Sequence, residues 1–171
     1  EFNYDRGRAF TVDAMDNEET AGVAFGKLAS EFIRVKVVPE LDAFRFAKYA
    51  GITGISKVSA GATLSTGADV IAALRTGITK MDEDEVPAED RHLFITPTLY
   101  GYIQDMDTTK SREVMSRFAD VTLVPQSRFY TAITLYDGKT DNSSTDSGVN
   151  QKPGGFVKAS AGKDINFMII H

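Results

Sequence analysis

Residues 21–50 read AGVAFGKLASEFIRVKVVPELDAFRFAKYA, and this stretch decides how the first part of the chain folds. Within this stretch, a set of mostly apolar residues recurs at intervals of three and four, which is the spacing of one helix face. The positions of this face are Ala21, Phe25, Leu28, Phe32, Val35, Pro39, Asp42 and Phe46. A second apolar side contains Ile33, Val37, Leu41 and Phe44. The pattern predicts a helix that begins after a capping box at Asp16 and Glu19, runs to about Ala50 and stops at Gly51.

Pro39 is the one residue that conflicts with this helix. Proline has no backbone N–H to donate, and its ring clashes with the carbonyl group four residues earlier. We therefore expect a kink or a break at Pro39. On the polar side of the helix, oppositely charged residues also lie three or four positions apart. Asp42 and Arg45 are predicted to pair in this way, at i,i+3.

The predicted helix is longer and more apolar than a helix that packs on one side of a globule. About 34 residues at a rise of 1.5 Å would span on the order of 50 Å, whereas a compact protein of this length has a diameter of about 40 Å. Apolar residues on two sides also exceed what one-sided packing needs. We therefore interpret the chain as an elongated subunit whose helix is covered by other chains. The candidate self-association surface consists of Phe25, Leu28, Phe32, Val35 and Phe46.

The middle of the chain predicts a second and a third helix with a strand between them. Residues 51–66 are rich in Gly, Ser and Thr, which favours a loop with short strands. Thr66 is a fair N-cap for the second helix. The apolar face of that helix is predicted to contain Val70, Ile71, Leu74, Ile78 and Met81. Residues 93–95 form a buried-type strand, and Thr96 with Pro97 is a strong start for the third helix.

The last third of the sequence favours strands. Residues 121–124 and 129–136 have strand patterns, and the chain closes with another at 165–171. Residues 137–163 contain many Gly and Ser residues and predict a long loop or a flexible hairpin. The order of elements favours an α+β layer structure with a mixed or antiparallel sheet.

Composition excludes several classes of protein. The chain has 171 residues, a formal net charge of −5 and no cysteine. Without cysteine there are no disulfides, cysteine nucleophiles or thiolate metal sites. An acidic balance disfavours a dedicated nucleic-acid binder. No apolar run reaches the roughly 20 residues that a membrane-spanning helix needs.

A search for catalytic and metal-binding motifs finds no convincing candidate. The acidic run 82–90 does not match a calcium-binding EF-hand loop, because Val86 and Pro87 occupy positions that require a ligand and a glycine. His92 is a lone histidine before a strand and His171 ends the sequence, so neither points to a zinc site. There is no G-x-S-x-G serine elbow. A catalytic pair of carboxylates is still an alternative, since 24 acidic residues allow many such pairs.

Several stretches resemble major capsid proteins of tailed bacteriophages and prophages. The most specific are Tyr4–Thr20, Glu31–Arg34 and Val38–Arg45. The order of later segments also follows that family, namely Asp69–Met81, Arg91–Pro97, Thr98–Met106, Val121–Arg128 and Ile165–His171. The resemblance implies the tailed-phage capsid fold, with a long spine helix, a peripheral domain and an axial domain.

The resemblance also implies where these parts lie. Residues 1–66 would supply the end of an extended loop, the spine helix and part of the peripheral domain. Residues 67–171 would be the axial domain, with a flexible Gly/Ser-rich loop at 137–163. Compared with the family, the chain would be a fragment that lacks the N-terminal arm, most of the extended loop and the C-terminal part.

The implied function is structural. Copies of the chain would form hexamers and pentamers that enclose double-stranded DNA, with possible scaffold or portal partners. We expect no enzymatic activity, cofactor, metal, membrane or sequence-specific nucleic-acid partner. The implied location is the virion, and the bacterial cytoplasm during assembly. The alternatives are a cellular nanocompartment shell protein and a hydrolase-type enzyme with a carboxylate or metal site.

Overall fold

The chain combines helices with two small β-sheets, which confirms the α+β class. The structure is a computed structural model that describes residues 6, 7, 9, 11, 13, 15, 18, 23–57, 60–106, 108–137 and 154–171. The capping box predicted at Asp16 and Glu19 lies outside these residues. By its internal contacts the chain divides into two compact units, Glu1–Pro39 and Glu40–His171.

The predicted long helix is present, with a change of helical type before the proline. Helix α1 spans Val23–Phe32, a π-helical turn spans Ile33–Val37, and α2 spans Val38–Gly51. In the turn, the Val38 N–H donates to the Ile33 carbonyl, five residues back. A wider turn moves the carbonyl groups that the Pro39 ring would otherwise touch. The predicted break at Pro39 is wrong, because α2 continues through Pro39 and the change of helical type lies before it, whereas the predicted stop at Gly51 is confirmed.

The elements described after Gly51 lie in the unit Glu40–His171. The helices are α3 Gly67–Glu83, α4 Pro97–Met106 and α5 Thr109–Met115, with a 3-10 turn at Gln126–Arg128. The strands are β1 His92–Ile95, β2 Asp120–Leu123, β3 Ile133–Asp137, β4 Gly154–Lys158 and β5 Phe167–Ile170. The sequence pattern missed α5, and the described part of 51–66 contains no strand.

The larger sheet is mixed, as the sequence analysis allowed. It has three strands in the order β2-β1-β5. β1 runs parallel to β2, with Leu93 opposite Val121, and antiparallel to β5, with Leu93 opposite Ile169. The predicted closing strand is thus confirmed as an edge strand of this sheet.

The second sheet is a two-stranded hairpin of β3 and β4. Ile133 pairs with Lys158, and Asp137 pairs with Gly154. Within the range 137–163, the segment 154–158 pairs with β3, which agrees with the predicted hairpin rather than with the predicted loop. Residues 159–163 follow as a turn, and 138–153 lie outside the described residues.

Two hydrophobic clusters form the core of this unit. The first combines the predicted face of α3 with β1, α4, α5 and the turn after α5. Its buried members are Val70, Ile71, Leu74, Ile78, Leu93, Ile95, Leu99, Ile103, Val114 and Phe118. The second contains Phe46, Ala50, Val124, Phe129 and Ile165. Four of the five residues of the predicted face are buried in the first cluster, whereas Met81 is only half-buried and lies outside this cluster.

Thr66 caps α3 as predicted, and this contact can be tested. Its hydroxyl oxygen accepts the backbone N–H of Asp69 at 3.2 Å. We expect Thr66→Ala to lower the free energy of unfolding by about 1 kcal/mol, since one helix donor loses its partner. Thr76→Ala, at an exposed position in the same helix, should leave stability unchanged or slightly raised, because alanine is the better helix former. Chemical denaturation of both variants measures the difference, and equal stability would contradict the cap.

None of the described helices is long and apolar enough to cross a membrane.

Candidate self-association surface

The helical segment from Val23 to Val38 exposes an unusual number of large apolar side chains. Neither α1 nor the π turn contains a buried residue. The exposed apolar residues, here called the 23–38 surface, are Val23, Phe25, Leu28, Ile33, Val35, Val37 and Val38. Their exposed fractions range from 37% to 53%. A helix with apolar residues on several sides is normally covered by other parts of a protein, so this segment has the character of an interface.

The structure places three of the five predicted surface residues on this segment in exposed positions. Phe25 is 52% exposed, and Leu28 and Val35 are also exposed. Phe32 lies on the same helix and is half-buried. These four residues follow one another at intervals of three or four, as the sequence analysis expected.

Phe46, the fifth predicted surface residue, is a core residue instead. It is 9% exposed and belongs to the second hydrophobic cluster. Its ring meets Phe129 and Phe94 edge-on, with centroid distances of 4.7 Å and 5.7 Å. Helical spacing places Phe46 on the same face as Phe25, but it cannot tell which part of a long helix is covered by its own chain. We therefore remove Phe46 from the candidate surface.

The charged side chains between these apolar residues are mostly basic. Lys27, Arg34 and Lys36 accompany a single acidic residue, Glu31. Arg34 Nη2 lies 2.8 Å from Glu31 Oε1, and both side chains are largely exposed. Exposed pairs of this kind contribute little to stability. The segment is therefore apolar and basic in a chain whose net charge is −5.

An acidic turn follows α3, and a buried arginine holds it in place. Arg91 is 1% exposed. Its Nε donates to the Pro87 carbonyl at 2.8 Å, and its Nη2 donates to the Val86 carbonyl. Its Nη1 lies 2.7 Å from Asp82 Oδ1. This role of Arg91 cannot be predicted from the sequence pattern, because arginine is seldom fully buried.

Asp82 is shared between two arginines from different parts of the unit. Arg117 Nη2 donates to Asp82 Oδ2 at 2.9 Å. The hydrogen bond with Arg91 and the nearby charge of Arg117 lower the pKa of Asp82 from 3.8, the ordinary value. Next to it, the hydrogen bond to Asp84 raises the pKa of Lys80. The turn thus presents its carboxylates from a fixed backbone rather than from an open loop.

The lowered pKa of Asp82 predicts an acid-sensitive contribution to stability. Because the folded state favours the charged form, this contribution is complete above the ordinary pKa of 3.8 and disappears as pH falls through the lower folded value. We expect Asp82→Asn to be less stable than the wild type at pH 7 and to lose less stability on acidification. Thermal melts between pH 7 and pH 2 measure this, with Asp105→Asn, an exposed residue of α4, as the control. Parallel pH curves for wild type and Asp82→Asn would contradict the assignment.

The predicted acid and histidine candidates do not come together as a catalytic or metal site. His92 is the first residue of β1 and is exposed, and His171 follows β5. In the described part of the chain, no group of three or more His, Asp and Glu residues is arranged to hold a metal ion.

The predicted pair of Asp42 and Arg45 is replaced by a longer-range one, since Asp42 Oδ2 accepts from Arg128 Nη1 at 3.0 Å.

Comparisons with protein-family models, curated proteins and solved structures give no match to this chain.

Proposed function

We propose that this chain is a structural subunit of a tailed-bacteriophage or prophage capsid shell, and that it acts by self-assembly rather than by catalysis. The 23–38 surface is the observation that carries the proposal. Seven large apolar side chains on one helical segment are 37% or more exposed. Burying a fully exposed large apolar side chain contributes roughly 1.5–3 kcal/mol, and about half of that contribution is left to gain here because these side chains are already about half covered.

The resemblance of Tyr4–Thr20, Glu31–Arg34 and Val38–Arg45 to major capsid proteins supports the same function. In this proposal α1, the π turn and α2 form the spine helix of the capsid fold. Residues 1–66 belong to the extended loop and peripheral domain, and residues 67–171 form the axial domain. Copies of the chain assemble into hexamers and pentamers around double-stranded DNA in the virion.

Electrostatics favour a second copy as the partner of the 23–38 surface. The surface is basic, with Lys27, Arg34 and Lys36 against Glu31. The turn after α3 carries six acidic residues between positions 82 and 90. Three basic residues lie against them, since Arg91 and Arg117 pair with Asp82 and Lys80 pairs with Asp84, so the acidic residues remain in excess. Opposite charges on two parts of one chain steer copies toward each other and limit the wrong pairings.

Symmetric shells need broad interfaces that repeat around each ring. The basic and apolar 23–38 surface and the acidic turn after α3 are two different surfaces of one chain. Two different surfaces allow a head-to-tail contact, which closes into rings when the rotation between neighbours permits it. This arrangement supports ring-shaped capsomers over a simple two-fold dimer.

The test is a double variant, Phe25→Asp with Val35→Asp, in the full chain. Two carboxylates on the 23–38 surface should raise the apparent dissociation constant of self-association by about a hundredfold or more, because each removes apolar burial and adds an unpaired charge. Sedimentation velocity measures the association, and circular dichroism checks that the fold is unchanged.

The matched control is Leu123→Asp, which changes an apolar residue of similar exposure, 47%, at the end of β2. It should self-associate like the wild type. Equal association of the double variant and the wild type would contradict the proposal, as would a wild-type chain that stays monomeric at every concentration.

A further inference from the structure

Among the described residues, no strand pairs with the outer edge of β5, and the pairing on that side ends just before it, where the Ile165 N–H donates to the Phe129 carbonyl. β5 is the last strand of the sheet β2-β1-β5. The Thr96 N–H donates to the Asn166 carbonyl, whereas the Ile95 carbonyl accepts from Val124 on the β2 side. With Ile95 opposite Phe167 and Leu93 opposite Ile169, residues 166, 168 and 170 face β1. The N–H and C=O groups of Phe167 and Ile169 therefore point away from β1.

β5 itself carries neither of two residue types that usually prevent strand addition. The sequence of β5 is Phe-Met-Ile-Ile, with no charged residue and no proline. Natural proteins normally protect an exposed edge with lysine, proline, a bulge or a covering segment. The opposite edge strand, β2, carries Asp120 and is followed closely by Pro125.

A groove of about 310 Å³ runs beside this edge, within the unit Glu40–His171. One wall is the second half of α3, with Gly77, Lys80 and Met81. The other wall is the loop after α2, with Ile55 and Lys57. Gly77 lets α3 approach β5 closely, because a Cβ at this position would lie 3.2 Å from the Ile169 side chain. The described residues thus bound the groove on both sides.

We propose that this groove accepts one extended strand from a second copy of the chain, which adds to the sheet beside β5. This rests on the proposed function, since both need copies of the chain to associate. The strand forms backbone hydrogen bonds with Phe167 and Ile169 and places alternate side chains against the apolar walls.

The charges at the rim fit a strand with an acidic residue. Lys80 is already paired with Asp84 at 3.0 Å, whereas Lys57 stands at the exposed end of the loop wall. A strand from this acidic chain that alternates apolar and polar residues can place a carboxylate near Lys57. The sequence Phe10-Thr11-Val12-Asp13 has this composition.

The experiment is hydrogen exchange of the full chain in its dissociated and associated forms. The amides of Phe167 and Ile169 should exchange at least about tenfold more slowly in the associated form, whereas those of Met168 and Ile170 should be protected in both. Ile55→Lys, which places a charge in the groove wall, should abolish the slowing at Phe167 and Ile169. Ile52→Lys is the matched control, because Ile52 is similarly exposed in the same loop but does not line the groove.

The outcomes separate this inference from the proposed function. Slower exchange at Phe167 and Ile169 in small oligomers that never form rings would support the strand addition and contradict the capsid function. Rings or shells in which these two amides exchange as fast as in the monomer would contradict the strand addition alone. A chain that remains monomeric, or equal effects of Ile55→Lys and Ile52→Lys, would overturn it as well.

Discussion

Replacing Phe46 with alanine is expected to lower the free energy of unfolding by about 3–5 kcal/mol. Phe46 is 9% exposed, and its ring packs edge-on against Phe94 and Phe129. The substitution removes the ring that joins α2 to the second hydrophobic cluster and leaves a cavity among side chains that can close it only in part. Urea denaturation followed by circular dichroism measures the loss.

Phe25→Ala is the matched control, since it makes the same change on the same predicted helix face. Phe25 is 52% exposed, so the free energy of unfolding should change by no more than about 0.5 kcal/mol. For self-association the order is reversed, and Phe25→Ala should weaken it more than Phe46→Ala does. Similar losses of stability at both positions would contradict the division between a core residue and a surface residue.

The second large effect is expected for Arg91→Met, which should lower the free energy of unfolding by about 2–4 kcal/mol. Methionine keeps much of the apolar length of arginine but donates no hydrogen bond. The carbonyl groups of Val86 and Pro87 then lose the guanidinium that binds them, and Asp82 loses its closest cation. The acidic turn should become mobile, which faster hydrogen exchange at Val86 and Asp90 would register.

Arg117→Met tests whether the buried arginine matters more than the shared ion pair. Arg117 also binds Asp82, but its side chain is 47% exposed, and solvent screens such pairs. It should destabilise the chain far less than Arg91→Met does. If the two variants lose equal stability, the ion pair with Asp82 rather than the buried hydrogen bonds holds the turn.

Local patterns predicted the elements that depend on local physics. The apolar period of 70–81 identified the buried side of α3, and the N-cap position of Thr66 located its start. The strand pattern at the end of the chain became β5. In these segments the spacing of apolar residues, the cap and the tertiary packing all favour the same structure.

Features that depend on distant partners could not be derived in this way. Phe46 shares its helical face with Phe25, and only the position of Phe129 in space decides that one is buried. β4 begins with Gly154 and Gly155, which on their own favour a loop, and it becomes a strand through pairing with β3. Strand formation depends on such context more than helix formation does.

The sequence does contain a local signal for α5. Thr108 and Ser111 form a reciprocal capping box at the start of α5, with the Thr108 hydroxyl accepting the Ser111 N–H and the Ser111 hydroxyl accepting the Thr108 N–H. Their spacing of three is the mark of a helix N-terminus. The helix has only seven residues, so its apolar period is too short to be recognised without the cap.

Only part of the candidate surface was predicted correctly, because the helical period of apolar residues does not determine which of them are exposed. A long apolar period shows that a helix needs cover but does not show which chain provides it. Along α1 and the π turn, Phe25, Leu28 and Val35 stay exposed, and along α2 Phe46 is covered by its own unit. The change occurs close to Pro39, where the two compact units divide.

The most direct measurement for the self-assembly account is the mass of the full chain at increasing concentration, determined by light scattering together with electron microscopy of the same samples. The account predicts a rise from the 18.7 kDa monomer to closed rings with five or six copies, and loss of these rings in the variant with Phe25→Asp and Val35→Asp. A mass of one subunit at every concentration, with no rings on the grid, would contradict it.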